Sequence, residues 1–154
     1  MRRSEINEII AEADAFISSH GYILPPFAHW SPEQIRTAEA TTIRERGLCW
    51  EITDFSTRKF DEMALFLFTV RNGSLSDLSR SRGMLYAEKI MISRKNQLTP
   101  MHRHNLKAED IINRGGGDLV IKLFASDAEG KINREANVSV HVDGVKPVSY
   151  THLR

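Results

Sequence analysis

The sequence has no second cysteine to pair with Cys49, which excludes an internal disulfide and fits a reducing compartment, read here as the cytoplasm. A long apolar run is missing too. The longest, "ALFLFTV" at residues 64–70, has seven residues against the roughly 20 that a bilayer span requires, so no membrane association is expected. Glu8, Glu12 and Asp14 interrupt the stretch after the first arginines, leaving no apolar core for a signal peptide. Charge of one sign is also not in excess: 21 Lys plus Arg stand against 20 Asp plus Glu, a net charge of +1. That balance gives no attraction for a polyanion, and nucleic acid is not an expected partner. What remains is a chain of 154 residues, 41% hydrophobic, with the length and core-forming capacity of one structural domain.

Ile6, Ile9, Ile10, Ala13, Phe16 and Ile17 recur every three or four residues, predicting an amphipathic helix capped by Ser4 and stopped at Gly21. In "PPFAHW" two prolines hold the backbone extended. "SPEQIR" then starts a second helix, with Ser31 as cap and Pro32 at the tolerated first position, running towards Gly47. Beyond Gly47 come the short β-rich segments "WEITDF", "ALFLFTV", "YAEKIMIS", "QLTPMHRH", "DLVIKLFA" and "NVSVHVDG", divided by Gly, Asn, Asp and Ser. With no helical pattern long enough for crossovers, these predict a mainly β, antiparallel barrel or sandwich behind two N-terminal helices. "RNGSLSDLSRSRG", from Arg71 to Gly83, reads as a polar surface loop. Trp30, Trp50, Phe66 and Phe68 are expected in the core.

The chemistry-bearing stretch is "TPMHRHNLKAED". On a strand, His102 and His104 project to one face while Arg103 points away. A bend over "NLKA" would bring Glu109 round to meet them. Two imidazoles and a carboxylate suit a divalent Mn, Fe, Co, Ni or Zn with open positions. The same residues also read as polar strand positions and surface charge. "EDIINRGGGDLVIKL" predicts a strand, a glycine turn and a returning strand beside them.

His102-x-His104, four residues, Glu109, then six residues to Gly116 resembles the first metal motif of the cupin barrels. The glycine that usually opens the motif is replaced by Asn96, the residue that best tolerates positive φ there. More narrowly, "LPPFAHW", "WEITDF", "LFTVRNG", "YAEKIMI", "TPMHRH" and "EDIINRGGG" together resemble the D-lyxose isomerase family of cupins, up to about Val145. The resemblance implies a cupin-type barrel over residues 48–146 behind the helices of 1–47. It further implies a metal site at His102, His104 and Glu109, and a divalent ion, commonly manganese.

The implied activity is interconversion of an aldose and its ketose, D-lyxose with D-xylulose and D-mannose with D-fructose. A Lewis acid on the sugar oxygens would stabilise an enediolate while a base moves a proton, with a hydride shift as the other route. Lys89 is the candidate substrate contact, and strand alternation then turns Glu88 away. Asp110 is expected to be structural, and His141 a polar strand residue. The family's second motif, a proline-glycine turn followed by a further histidine ligand, has no counterpart, so the barrel is read as incomplete at its C-terminal end. Residues 147–154, including His152, are read as a non-native tail. Cupin barrels often pair, so a homodimer is expected. Two other functions stay open: an Fe(II)-dependent cupin oxygenase, and a non-catalytic module that binds metal or sugar.

Overall fold

The computed structural model describes residues 1–105, 108–141 and 144–145, and every side chain among them except that of Leu78. Residues 147–154, His152 among them, lie outside the described residues, as do Val142 and Asp143 of the expected "NVSVHVDG" strand. The chain forms two compact units, residues 1–107 and 108–154.

In the first unit the expected N-terminal helix forms as α1, Arg3–Ser19. Its cap is Arg2 rather than Ser4. The Glu5 carboxylate accepts the Arg2 backbone N–H at 2.6 Å and the guanidinium at 3.0 Å, a charge-assisted pairing that a serine hydroxyl cannot match. Gly21, at φ 77°, ends the helix as expected. Tyr22 N–H reaches back to Ile17 O and Gly21 N–H to Ser18 O, which satisfies the last carbonyls.

The second helix is shorter than expected. Ser31 caps it, accepting from Gln34 N–H at 3.3 Å while Gln34 accepts from Ser31 N–H, but α2 covers only Pro32–Ile35. Thr37 is extended at ψ 164°, and the chain restarts through a tight turn at Ala38–Ala40 into α3, Thr41–Glu45. Arg44 donates to Ile35 O and Thr37 O, so its guanidinium satisfies carbonyls that a continuous helix would have used internally. Pro25 is extended, as the prolines predicted, whereas Pro26–His29 closes one tight helical turn.

Three of the expected strands form an antiparallel sheet in the order β1, Cys49–Thr53, β2, Leu65–Arg71, and β3, Glu88–Met91. The central β2 is buried on both faces from Phe66 to Thr69, which its near-continuous apolar run reflects. On one face Phe68 meets Ile17, Leu24 and Ala28, so α1 and the proline segment cover the sheet. Phe27 stacks on Phe68 at 5.5 Å between ring centres, Trp50 meets it edge-on at 4.9 Å, and the Trp50 indole donates to Ala28 O. Burying a side chain of this size stabilises by about 1.5–3 kcal/mol. Phe66 and Phe68 are buried as expected, while Trp30 and Trp50 are half-buried. Burial also pushes the Cys49 thiol up.

The expected Arg71–Gly83 loop contains a short helix, α4, Leu75–Ser79. Gly73 N–H donates to Tyr86 O, closing the base of the loop, and a side chain at Gly73 would collide with the Met84 carbonyl.

In the second unit β4, Ala125–Ser126, pairs antiparallel with β5, Ile132–Asn133, a strand the sequence did not predict. Asp127 closes this hairpin, its carboxylate accepting from Lys131 N–H at 2.7 Å. The glycine turn also forms: Asn113 accepts from Gly115 N–H and donates to Gly117 O. Its flanks form no strand among the described residues, and Ile111, Ile112 and Val120 are exposed. Strands need a ladder partner to persist, and the apolar pattern alone does not supply one. Of "DLVIKLFA" only the last residue enters a strand, and the described part of "NVSVHVDG" enters none. The sheets are antiparallel as expected, but among the described residues they close no barrel. No helix among them is long and apolar enough to cross a membrane.

Candidate metal centre

The approach to the histidines is fixed at its base. Asn96 takes φ 61°, the left-handed conformation expected for the residue standing in for glycine. Gln97 holds both sides of this turn, its amide oxygen accepting from Arg94 N–H and its amide nitrogen donating to Phe60 O at 2.5 Å. Leu98 then lies beside Met63 in an isolated parallel bridge. Leu98 N–H donates to Glu62 O and Ala64 N–H to Leu98 O, just before β2 begins. Arg94 ties the same turn to Asp61 and to Glu12 of α1.

Pro100 ends this pairing, having no N–H to donate. Residues 101–105 are therefore not a strand, which corrects the strand expected over "QLTPMHRH". The consequence drawn from strand alternation survives in another form, because the rings of His102 and His104 lie 4.9 Å apart at 76°.

Nδ1 of His102 is 2.9 Å from Pro100 O. A carbonyl oxygen only accepts, so this bond requires the proton on Nδ1 and leaves the Nε2 lone pair for a ligand. Metal-bound histidines are commonly braced this way. The acceptor is a backbone carbonyl, which every residue carries, so the amino-acid sequence holds no signal for this brace.

His102, His104 and Glu109, all exposed and within one short stretch of chain, form a group that could hold a metal ion, one ligand atom from each lying within 4.8 Å of the others. The donor set fits a divalent cation: two imidazole nitrogens and a carboxylate oxygen, with positions left for water or a substrate oxygen. Asp110 and His141 are exposed and stand outside this group.

Lys89 lies on β3 opposite Thr69 of β2, and Ile90 lies opposite Phe68. Since Ile90 packs against the core below the sheet, Lys89 points to the other face with Leu67, Thr69 and Met91. Glu88 is turned the opposite way, as alternation predicted. It accepts from Arg71 at 2.7 Å and from the Tyr22 hydroxyl at 3.4 Å, so it is engaged in holding β3 to its surroundings. Lys89 is exposed, while its neighbour across the ladder, Thr69, is 2% exposed and is the buried polar residue of the sheet.

A family model described as D-lyxose isomerase matches residues 1–151. A D-lyxose/D-mannose isomerase of Escherichia coli O157:H7 is 41% identical over 149 residues, and one of Serratia proteamaculans is 40% identical over 149 residues. Each alignment covers 95% of this chain and 64% of the relative, so the chain spans less than two thirds of their length. The extent of the family match and the level of identity together establish that the chain belongs to the D-lyxose isomerase family.

Proposed function

We propose that His102, His104 and Glu109 bind a divalent cation, manganese in the first instance, and that this chain carries the metal-binding part of an aldose-ketose isomerase acting on D-lyxose and D-mannose. The observation that carries the reading is the gathering of three ligand atoms within 4.8 Å, with Nδ1 of His102 committed to Pro100 O. The named activity of both relatives supports the sugar class.

When bound, the cation would supply Lewis acidity towards the sugar's carbonyl and adjacent hydroxyl oxygens. The protein's own contribution is orientation. Pro100 holds the His102 ring through Nδ1, which leaves the Nε2 lone pair for the cation, and the Asn96 turn fixes where the segment leaves the sheet. Lys89 is the proposed substrate contact: its ammonium would donate to a sugar hydroxyl or to the oxygen that gains charge as the proton moves from C2 to C1. We take the sheets to be part of a cupin-type barrel, the working protein to be a cytoplasmic homodimer, and the substrate to be the free sugar.

The test is D-xylulose formation from D-lyxose with manganese present, and its loss on chelation and recovery on re-addition. No ketose with metal saturating would remove the catalytic reading for this chain. A second reading, a module that binds metal or sugar without turnover, is favoured by the exposure of all three ligands, since a water-excluding pocket strengthens catalytic electrostatics. Sugar binding seen calorimetrically without product would select it.

A further inference from the structure

The segment that carries His102 and His104 departs from the Asn96 turn, and three hydrogen bonds of that turn converge on Gln97. Its backbone N–H donates to Arg94 O at 3.1 Å, and its side-chain oxygen accepts from Arg94 N–H at 3.0 Å. Both main-chain polar groups of Arg94 are thus met by one residue. The side-chain nitrogen donates to Phe60 O at 2.5 Å, which ties the turn to the stretch ahead of β2. Gln97 is half-buried, so these bonds are partly shielded from water.

The other supports of the turn depend less on one side chain. The Arg94 guanidinium lies over the Phe60 ring, 5.2 Å from its centre, and pairs with Asp61 and Glu12. Those two carboxylate side chains are 77% and 68% exposed, and ion pairs so exposed contribute at most about 1 kcal/mol. Beyond the turn, Leu98 N–H donates to Glu62 O and Leu98 O accepts from Ala64 N–H, bonds that any residue except proline would make there. The Thr99 hydroxyl reaches Ala64 O only at 3.4 Å, beyond the usual hydrogen-bond range. Gln97 is where the anchoring depends on the identity of the side chain.

We propose that Gln97 is a positioning residue of the metal centre: its amide fixes the turn on Phe60 and so sets the point from which the chain runs to Pro100 and the His102 ring. This role rests on His102, His104 and Glu109 binding the cation as proposed above. With the turn fixed, the segment has lost its freedom before a cation arrives, and binding free energy is not consumed in ordering it.

The experiment is a calorimetric titration of manganese into the metal-free full chain, with the visible spectrum of the cobalt(II)-loaded protein as a second readout, because its bands follow the geometry of the ligands. Gln97→Met removes both side-chain bonds at nearly constant length. It should raise the manganese dissociation constant about tenfold, the lower end of the loss found for groups that orient metal ligands, and alter the cobalt bands. Gln97→Glu keeps the acceptor for Arg94 N–H and loses the donor to Phe60 O, so it tests the Phe60 tie in a chain whose turn can still close. It should move both readouts in the same direction. Gln34→Met removes the side-chain acceptor that caps α2 and should leave both unchanged, which separates positioning from a general loss of stability. A folded Gln97→Met or Gln97→Glu chain that matches a metal-binding parent in both readouts, or an equal shift in Gln34→Met, would overturn the role of Gln97 alone. A parent chain that binds no manganese would remove the metal centre itself, and this role with it.

Discussion

Nδ1 of His102 lies 2.9 Å from the carbonyl oxygen of Pro100, and the direction of that bond decides which ring nitrogen stays open. With the proton on Nδ1, the lone pair is on Nε2. In the metal-free chain at pH 8, nitrogen-15 NMR should therefore show His102 as the Nδ1–H tautomer. The Nε2–H form as the major species would mean that the brace does not hold in solution.

Lys89 and Glu88 should separate function from stability. Lys89→Met replaces an exposed residue, and its effect on unfolding should stay within about 0.5 kcal/mol. D-xylulose formation should fall by roughly 10² to 10³, the loss typical of removing one donor from developing charge. Glu88→Gln removes the Arg71 partner and should cost up to about 1 kcal/mol of stability, as exposed ion pairs do, with turnover little changed. Denaturant unfolding and a ketose assay on the two variants check both statements, and a Lys89→Met chain with undiminished turnover would remove Lys89 from the site.

Phe68 is fully buried where α1, the proline segment and the sheet meet. Phe68→Ala should destabilise the first unit by about 3–5 kcal/mol, measured as a drop in urea midpoint without a change in slope.

Acid should release the Arg46–Asp77 tie. The Asp77 carboxyl is lowered from an ordinary value of 3.8 in the folded chain by its bond to Arg46. A depressed carboxyl contributes stability that is fully present above the unfolded value and lost as pH falls through the folded one. The tie should thus persist at pH 4 and break only at lower pH. Carbon-13 titration of the Asp77 carboxyl would show it, and a midpoint at or above 3.8 would contradict the pairing.

Local rules made a large part of this chain readable. The 3.6-residue stripe of α1, its glycine stop, the Ser31 and Pro32 start of α2, and the three strands around β2 each depend on neighbours a few residues away. So does the positive φ of Asn96, which followed from its standing where glycine is usual. The expectations that failed depend on distant groups. The second helix broke because Arg44 offers donors to carbonyls several residues back, which no periodicity records. The histidine segment is not a strand because Pro100 ends the pairing with the residues before β2. The grouping of His102, His104 and Glu109 was legible from spacing, whereas the brace that sets the His102 tautomer needed coordinates.

Calorimetric titration of manganese into the metal-free chain tests the central claim most directly. One ion per chain should bind, and His102→Ala, His104→Ala and Glu109→Gln should each weaken it by at least about a hundredfold while far-UV circular dichroism stays unchanged. No saturable binding to the parent chain, or binding that survives all three substitutions, would contradict the assignment of His102, His104 and Glu109 as the metal centre.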